Sequence, residues 1–136
     1  YAFDNRRLRL LSSNARTETG CPPFGPIFAL GAAVDYLSGI GIDQIAERVL
    51  ALNMYLTFRL GRESLEVLSP GGEHRSGETL VRLPDPARAR AFLLERGVHV
   101  TGKPEGVRIS THCYNSEEDV DACVAALVAY RERLLL

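Results

Sequence analysis

Gly106-Val-Arg-Ile-Ser-Thr-His-Cys-Tyr-Asn-Ser-Glu-Glu-Asp-Val-Asp121 holds a complete unit of local structure. Val107 to Ser110 alternates apolar and polar residues, which predicts a short strand with one face on a core. Ser116-Glu-Glu-Asp119 has the Ser-x-x-acid spacing of a helix N-terminus, with acids at the positive end of the helix dipole. Beyond it Val120, Cys123, Val124, Leu127 and Tyr130 fall on one face of that helix. A strand that runs into an amphipathic helix is the seed of a sheet-and-helix layer.

Upstream the pattern is of the same kind. Phe24 opens a helix whose Ile27, Leu30, Ala33, Val34 and Leu37 share a face, with Gly39 as its stop. Asp43 is placed to cap a longer helix carrying Ile45, Val49, Leu52 and Leu56, ending near Gly61. Leu65 to Leu68 and Thr79 to Leu83 read as strands around the turn-rich Ser69-Pro70-Gly71-Gly72. Asp85-Pro86 is a cap followed by a proline at the first helical position, and Gly97 suits the end of that helix. Val98 to Val100 and Val107 to Ser110 flank the predicted loop Gly102 to Gly106. The expected fold is α+β: a small, mainly antiparallel sheet of three to four strands covered by helices on one face. Residues 1–22 read as a linker or arm, because Cys21-Pro22-Pro23 is extended, and 23–136 as the domain.

At 136 residues the chain has the length of one domain. Sixteen basic and seventeen acidic side chains leave a net charge of -1, which argues against nucleic-acid binding by bulk positive charge. The longest uncharged stretch, Thr19 to Val34, is interrupted by three prolines and three glycines and does not read as a membrane span. Three cysteines without a Cys-x-x-Cys suggest neither a disulfide framework nor a zinc knuckle, and point to a reducing cytoplasm. The first residue is Tyr, which suggests a piece of something longer.

The chemistry-bearing residues divide quickly. His74, His99 and His112 have no metal-ligand spacing. Cys113 follows His112, but neighbours in an extended segment point to opposite faces, so the two are not expected to pair; Cys123 belongs to the core. The glycine pairs near 71 and 102 lack the Lys-Ser/Thr of a phosphate loop. Lys103, the only lysine beside fifteen arginines, lies in a Gly-Lys-Pro loop that does nothing to activate its amine. Arg108 is open to two readings: a rigid fork for a carboxylate, or a solvated arginine on the open face. The polar run after it makes His112 and Asn115 candidate pocket residues.

The stretch Gly106 to Asp121 resembles the C-terminal signature of class V aminotransferases. These are fold-type I pyridoxal-phosphate (PLP) enzymes that include cysteine desulfurases, selenocysteine lyases and isopenicillin-N-epimerase-like proteins. Arg16-Thr-Glu-Thr-Gly-Cys-Pro-Pro-Phe24 with the helix after it, and Arg75-Ser76-Gly77 before a strand, resemble further segments of that family in the same order. The resemblance implies the C-terminal domain of an enzyme about three times as long. The catalytic lysine, the aspartate at the pyridine nitrogen and most phosphate contacts would lie in a preceding large domain, leaving this chain inactive alone. It also implies a homodimer acting on an amino acid; with the charge, hydropathy and cysteine readings above, the expectation is a cytoplasmic protein without nucleic-acid or membrane partners. By resemblance Arg108 holds the substrate carboxylate. Thr19, Gly20 and Cys21 fall where the family has a Gly-Thr that reaches the cofactor phosphate, with Cys in place of the Thr, a poorer donor. Cysteine desulfurases carry a persulfide-forming cysteine shortly before the arginine, and Val98 to Gly106 has none, which favours an epimerase-like or lyase-like reaction. The other class of function compatible with the fold is a freestanding ligand-binding or interaction module.

Overall fold

Alternation along the strands decides which side of the sheet is dry. In the computed structural model, which describes residues 12–13 and 20–134, three strands pair antiparallel in the order β1–β3–β2: β1 is Glu78–Arg82, β2 Thr101–Lys103 and β3 Gly106–Ser110. Thr79, Val81, Val107 and Ile109 are buried on one side, while Glu78 and Arg82 are exposed and Leu80 and Arg108 half-buried on the other. The described residues also form four α-helices: α1 Phe24–Ile40, α2 Ile42–Arg62, α3 Pro86–Leu94 and α4 Glu117–Arg133. The fold is α+β, as the sequence predicts.

The chain groups into two units, Tyr1–Gly39 and Ile40–Leu136. Within the second, Leu52, Leu56 and Leu60 of α2 join Ala89, Phe92 and Leu93 of α3 and the predicted face of α4 over the dry side of the sheet. Asn53 is buried among them at 2% exposure, and its amide donates to the Thr79 hydroxyl at 2.7 Å. That bond removes most of the cost of burying both groups. Tyr130 packs against Phe92, and its hydroxyl lies 3.1 and 3.2 Å from the carbonyls of Pro84 and Asp85, either of which can accept its proton. In the first unit α1 runs from Phe24 as expected but buries none of its residues.

Four local expectations are corrected. Leu65 to Leu68 does not form a strand; only Val67 bridges to Val81. Leu68 N–H reaches the Leu80 carbonyl at 2.8 Å, but the Ser69 hydroxyl accepts from Leu80 N–H at 2.8 Å and so takes the amide that would return the bond. Pro70 then stops the ladder. Val98 to Val100 is not a strand either. Gly97, at φ +74°, turns the chain so that Val98 N–H bonds back to Leu93 of α3, and pairing starts only at Thr101 opposite Arg108. The predicted loop is correspondingly short: Lys103 pairs with Gly106, and Pro104-Glu105 alone make the turn. Only glycine fits at 106, since a Cβ there would lie 1.9 Å from the Val81 carbonyl oxygen. Finally, Asp43 does not cap α2. Gly41, at φ +98°, holds that position, and Asp43 sits in the first turn where its charge still suits the dipole.

Candidate functional site

Arg108 projects from the middle of β3 onto the solvent side of the sheet, opposite Leu80 on β1 and Thr101 on β2. It lines a cleft of about 320 Å³ together with residues that include His74, Glu78, Leu80, Lys103 and Glu105. Its Nη1 lies 3.2 Å from Glu78 Oε1, and its Nε is buried with no acceptor among the described residues. Among the described residues the arginine is therefore only partly satisfied. A guanidinium in a cleft of mixed charge is suited to a carboxylate.

His112 and Asn115 stand elsewhere. β3 ends at Ser110, and Thr111 ties the chain to Gly77: its N–H donates to that carbonyl at 3.0 Å. Gly77 has no room for a side chain, because a Cβ would meet Val49 Cγ1 of α2 at 2.5 Å. This is the packing reason for the glycine of Arg75-Ser76-Gly77. Residues 112–115 then form a tight turn, with Asn115 N–H donating to the His112 carbonyl at 3.0 Å and His112 N–H to Asn115 Oδ1 at 2.9 Å. The Asn115 carbonyl accepts from Arg48 of α2 at 3.1 Å. Neither His112 nor Asn115 lines the Arg108 cleft; Asn115 borders a second hollow of about 410 Å³ with Val98, Val100, Tyr114 and Cys123.

The turn also overturns the expectation that Cys113 and His112 point apart. Cys113 Sγ lies 3.3 Å from His112 Nδ1, and the His112 ring stacks on Tyr114 at 4.4 Å. The premise of an extended segment fails one residue past Thr111. Cys123 is buried in the core, where desolvation pushes its thiol up to about 11. Among the described residues no group of three or more His, Cys, Asp or Glu could hold a metal ion. No single described helix is long and apolar enough to cross a membrane.

Of the three positions tied to a cofactor phosphate, Thr19 lies outside the described residues, and Gly20 and Cys21 are exposed just before α1. Lys103 is exposed at the turn end of β2. Glu78 and Asn53, which sequence reasoning missed, are both defined by cross-strand or cross-layer contacts.

Comparison with known proteins settles the family. The model of the aminotransferase class-V family matches residues 4–123. The chain belongs to this family. It is 36% identical over 112 residues to isopenicillin N epimerase of Amycolatopsis lactamdurans, covering 75% of this chain and 28% of that protein. To a cysteine desulfurase of Haloferax volcanii it is 33% identical over 132 residues, 85% of this chain and 31% of the relative. The apo structure of a cysteine desulfurase from Thermococcus onnurineus shares its fold, with a TM-score of 0.81 at 22% identity over 96% of this chain and 36% of that one. The chain thus spans about a third of the length of the class V aminotransferases it matches. The family is PLP-dependent. Among the described residues, the lysine, Lys103, is solvent-exposed and Cys21 is an exposed free cysteine.

Proposed function

We propose that this chain serves as the C-terminal part of a PLP-dependent enzyme acting on an amino acid, and that Arg108 grips the substrate carboxylate. The observation that carries this reading is the half-buried Arg108 guanidinium in a cleft on the solvent side of the sheet, paired there only with the half-exposed Glu78 among the described residues. In such enzymes the cofactor is an electron sink, and the protein selects which bond at the α-carbon breaks. Arg108 contributes orientation: two parallel hydrogen bonds fix the substrate's carboxylate and with it the directions of its other bonds. The aldehyde anchor belongs to a large domain outside this chain, which without it is inactive, and the intact enzyme works as a homodimer. The two-residue turn between β2 and β3 and the lack of cysteine from Val98 to Gly106 support epimerisation or lyase chemistry over sulfur transfer through a thiol on that segment.

The test is a cycle in the enzyme that contains this chain, with Arg108→Lys and Arg108→Ala and with an amino-acid substrate and its amide. Both variants should lose about 2–5 kcal/mol of binding for the acid, since an ammonium cannot replace the fork and an unpaired carboxylate remains. The amide should be handled about equally by all three proteins. A coupling near zero would reduce Arg108 to a solvated strand residue.

A further inference from the structure

Arg108 has two edges with which it can hold both oxygens of a carboxylate: the side edge, Nε with Nη2, and the end edge, Nη1 with Nη2. The side edge is closed, because Nε is buried away from solvent. That leaves the end edge for a ligand, and it is shared already. Glu78 Oε1 stands 3.2 Å from Nη1, the carboxylate being 52% exposed and the arginine 34%. Glu78 reaches it from β1, two residues from Leu80, the cross-strand partner of Arg108. Glu105 lines the same cleft and adds a second negative charge beside the Lys103 and His74 side chains.

We infer that Glu78 is a resident competitor for the substrate site, a carboxylate that an incoming carboxylate must displace from Arg108. The inference rests on the reading of Arg108 given above and adds a specificity-determining residue to it. It follows from geometry and charge together. A ligand carboxylate cannot take the end edge with both oxygens while Glu78 holds Nη1. Once displaced, Glu78 remains next to the ligand as a like charge. The arrangement lowers affinity for simple carboxylates and keeps the fork oriented when no ligand is bound.

The probe is propionate, with propionamide as the uncharged control, titrated into the 136-residue chain and followed by the backbone amide signals of β1 and β3. Glu78→Gln keeps the shape and removes the charge; Glu78→Ala removes both, and unshifted spectra elsewhere confirm that each variant is folded. Both should bind propionate about threefold more tightly than the parent chain, in line with the worth of a half-exposed ion pair, with propionamide unchanged. Arg108→Lys should lose propionate binding. If Arg108→Lys loses it while the Glu78 variants match or fall below the parent, the role of Glu78 is overturned and the reading of Arg108 survives. If Arg108→Lys binds as well as the parent, or if no protein responds to propionate at all, both fall.

Discussion

Burial divides the three cysteines, and with it their chemistry. Cys21 is exposed, Cys113 half-buried beside His112, and Cys123 only 6% exposed in the core. A thiol reacts as its thiolate, and desolvation holds Cys123 protonated up to about pH 11. In the native chain at pH 8, Cys123 should therefore resist iodoacetamide while Cys21 is alkylated, as peptide mapping by mass spectrometry would show. The same shift makes a stability prediction. The unfolded thiol ionises near 9.0 and the folded one near 11, so stability is undiminished below pH 9 and falls as pH rises between the two. The loss should approach about 3 kcal/mol, and Cys123→Ser should lessen the alkaline slope in urea titrations, leaving the part contributed by Tyr130, which burial also raises. At this scale Cys123 was legible, because its place on a 3.6-residue face foretells burial. Glu78 was not, because its contact with Arg108 exists only once the register of β1 against β3 is set.

An element is most legible where its end is built from neighbours in sequence. Asp85 caps α3, its carboxylate accepting from Arg88 N–H at 3.1 Å, and Ser116 caps α4, its hydroxyl accepting from Asp119 N–H at 3.2 Å while Asp119 accepts from Ser116 N–H at 3.0 Å. Both were readable because every partner lies within three residues. At Leu65 and Val98 the strand pattern misleads because non-neighbours decide the outcome: the Ser69 hydroxyl on Leu80, and Leu93 on Val98. The α4 cap also carries a measurable consequence. The Ser116 amide, then the Asn115 side chain, hold the Asp119 carboxyl below its usual range; a bond to Ser116 does the same for Glu118. Groups depressed in the fold stabilise it above the ordinary carboxylate range, and that contribution is lost as pH falls through their lowered values. Ser116→Ala should cost about 1 kcal/mol at neutral pH. Its deficit should shrink in acid, as guanidinium titrations at pH 7 and about pH 3 would reveal. An equal deficit at both would mean that the hydroxyl's bond alone, and not the charge of the acids around it, sets the stability of that end.

For the molecule as a whole the unresolved demand is α1. Its seventeen residues carry a single charge, Asp35, and apolar side chains surround the axis instead of forming one stripe. Phe28 is 74% exposed, Leu30 66% and Phe24 56%, whereas the helices of the second unit bury a defined face. A helix apolar all round is stable in water only when it is enclosed. The periodicity of Ile27, Leu30, Val34 and Leu37 announced a helix correctly, yet it could not announce the missing cover, which depends on what surrounds the helix and not on its own sequence. The isolated 136-residue chain should therefore associate through α1 and bind a hydrophobic dye such as anilinonaphthalene sulfonate. Burying one phenylalanine stabilises by about 1.5–3 kcal/mol, so Phe24→Glu with Phe28→Glu should weaken association by about a hundredfold or more and abolish most dye fluorescence. Sedimentation velocity across a wide concentration range measures the first effect. Circular dichroism checks that the sheet and the Leu52–Tyr130 core, which belong to the second unit, are intact in the variant. A parent chain that stays monomeric at high concentration and leaves the dye dark would show that α1 finds its cover within the chain itself.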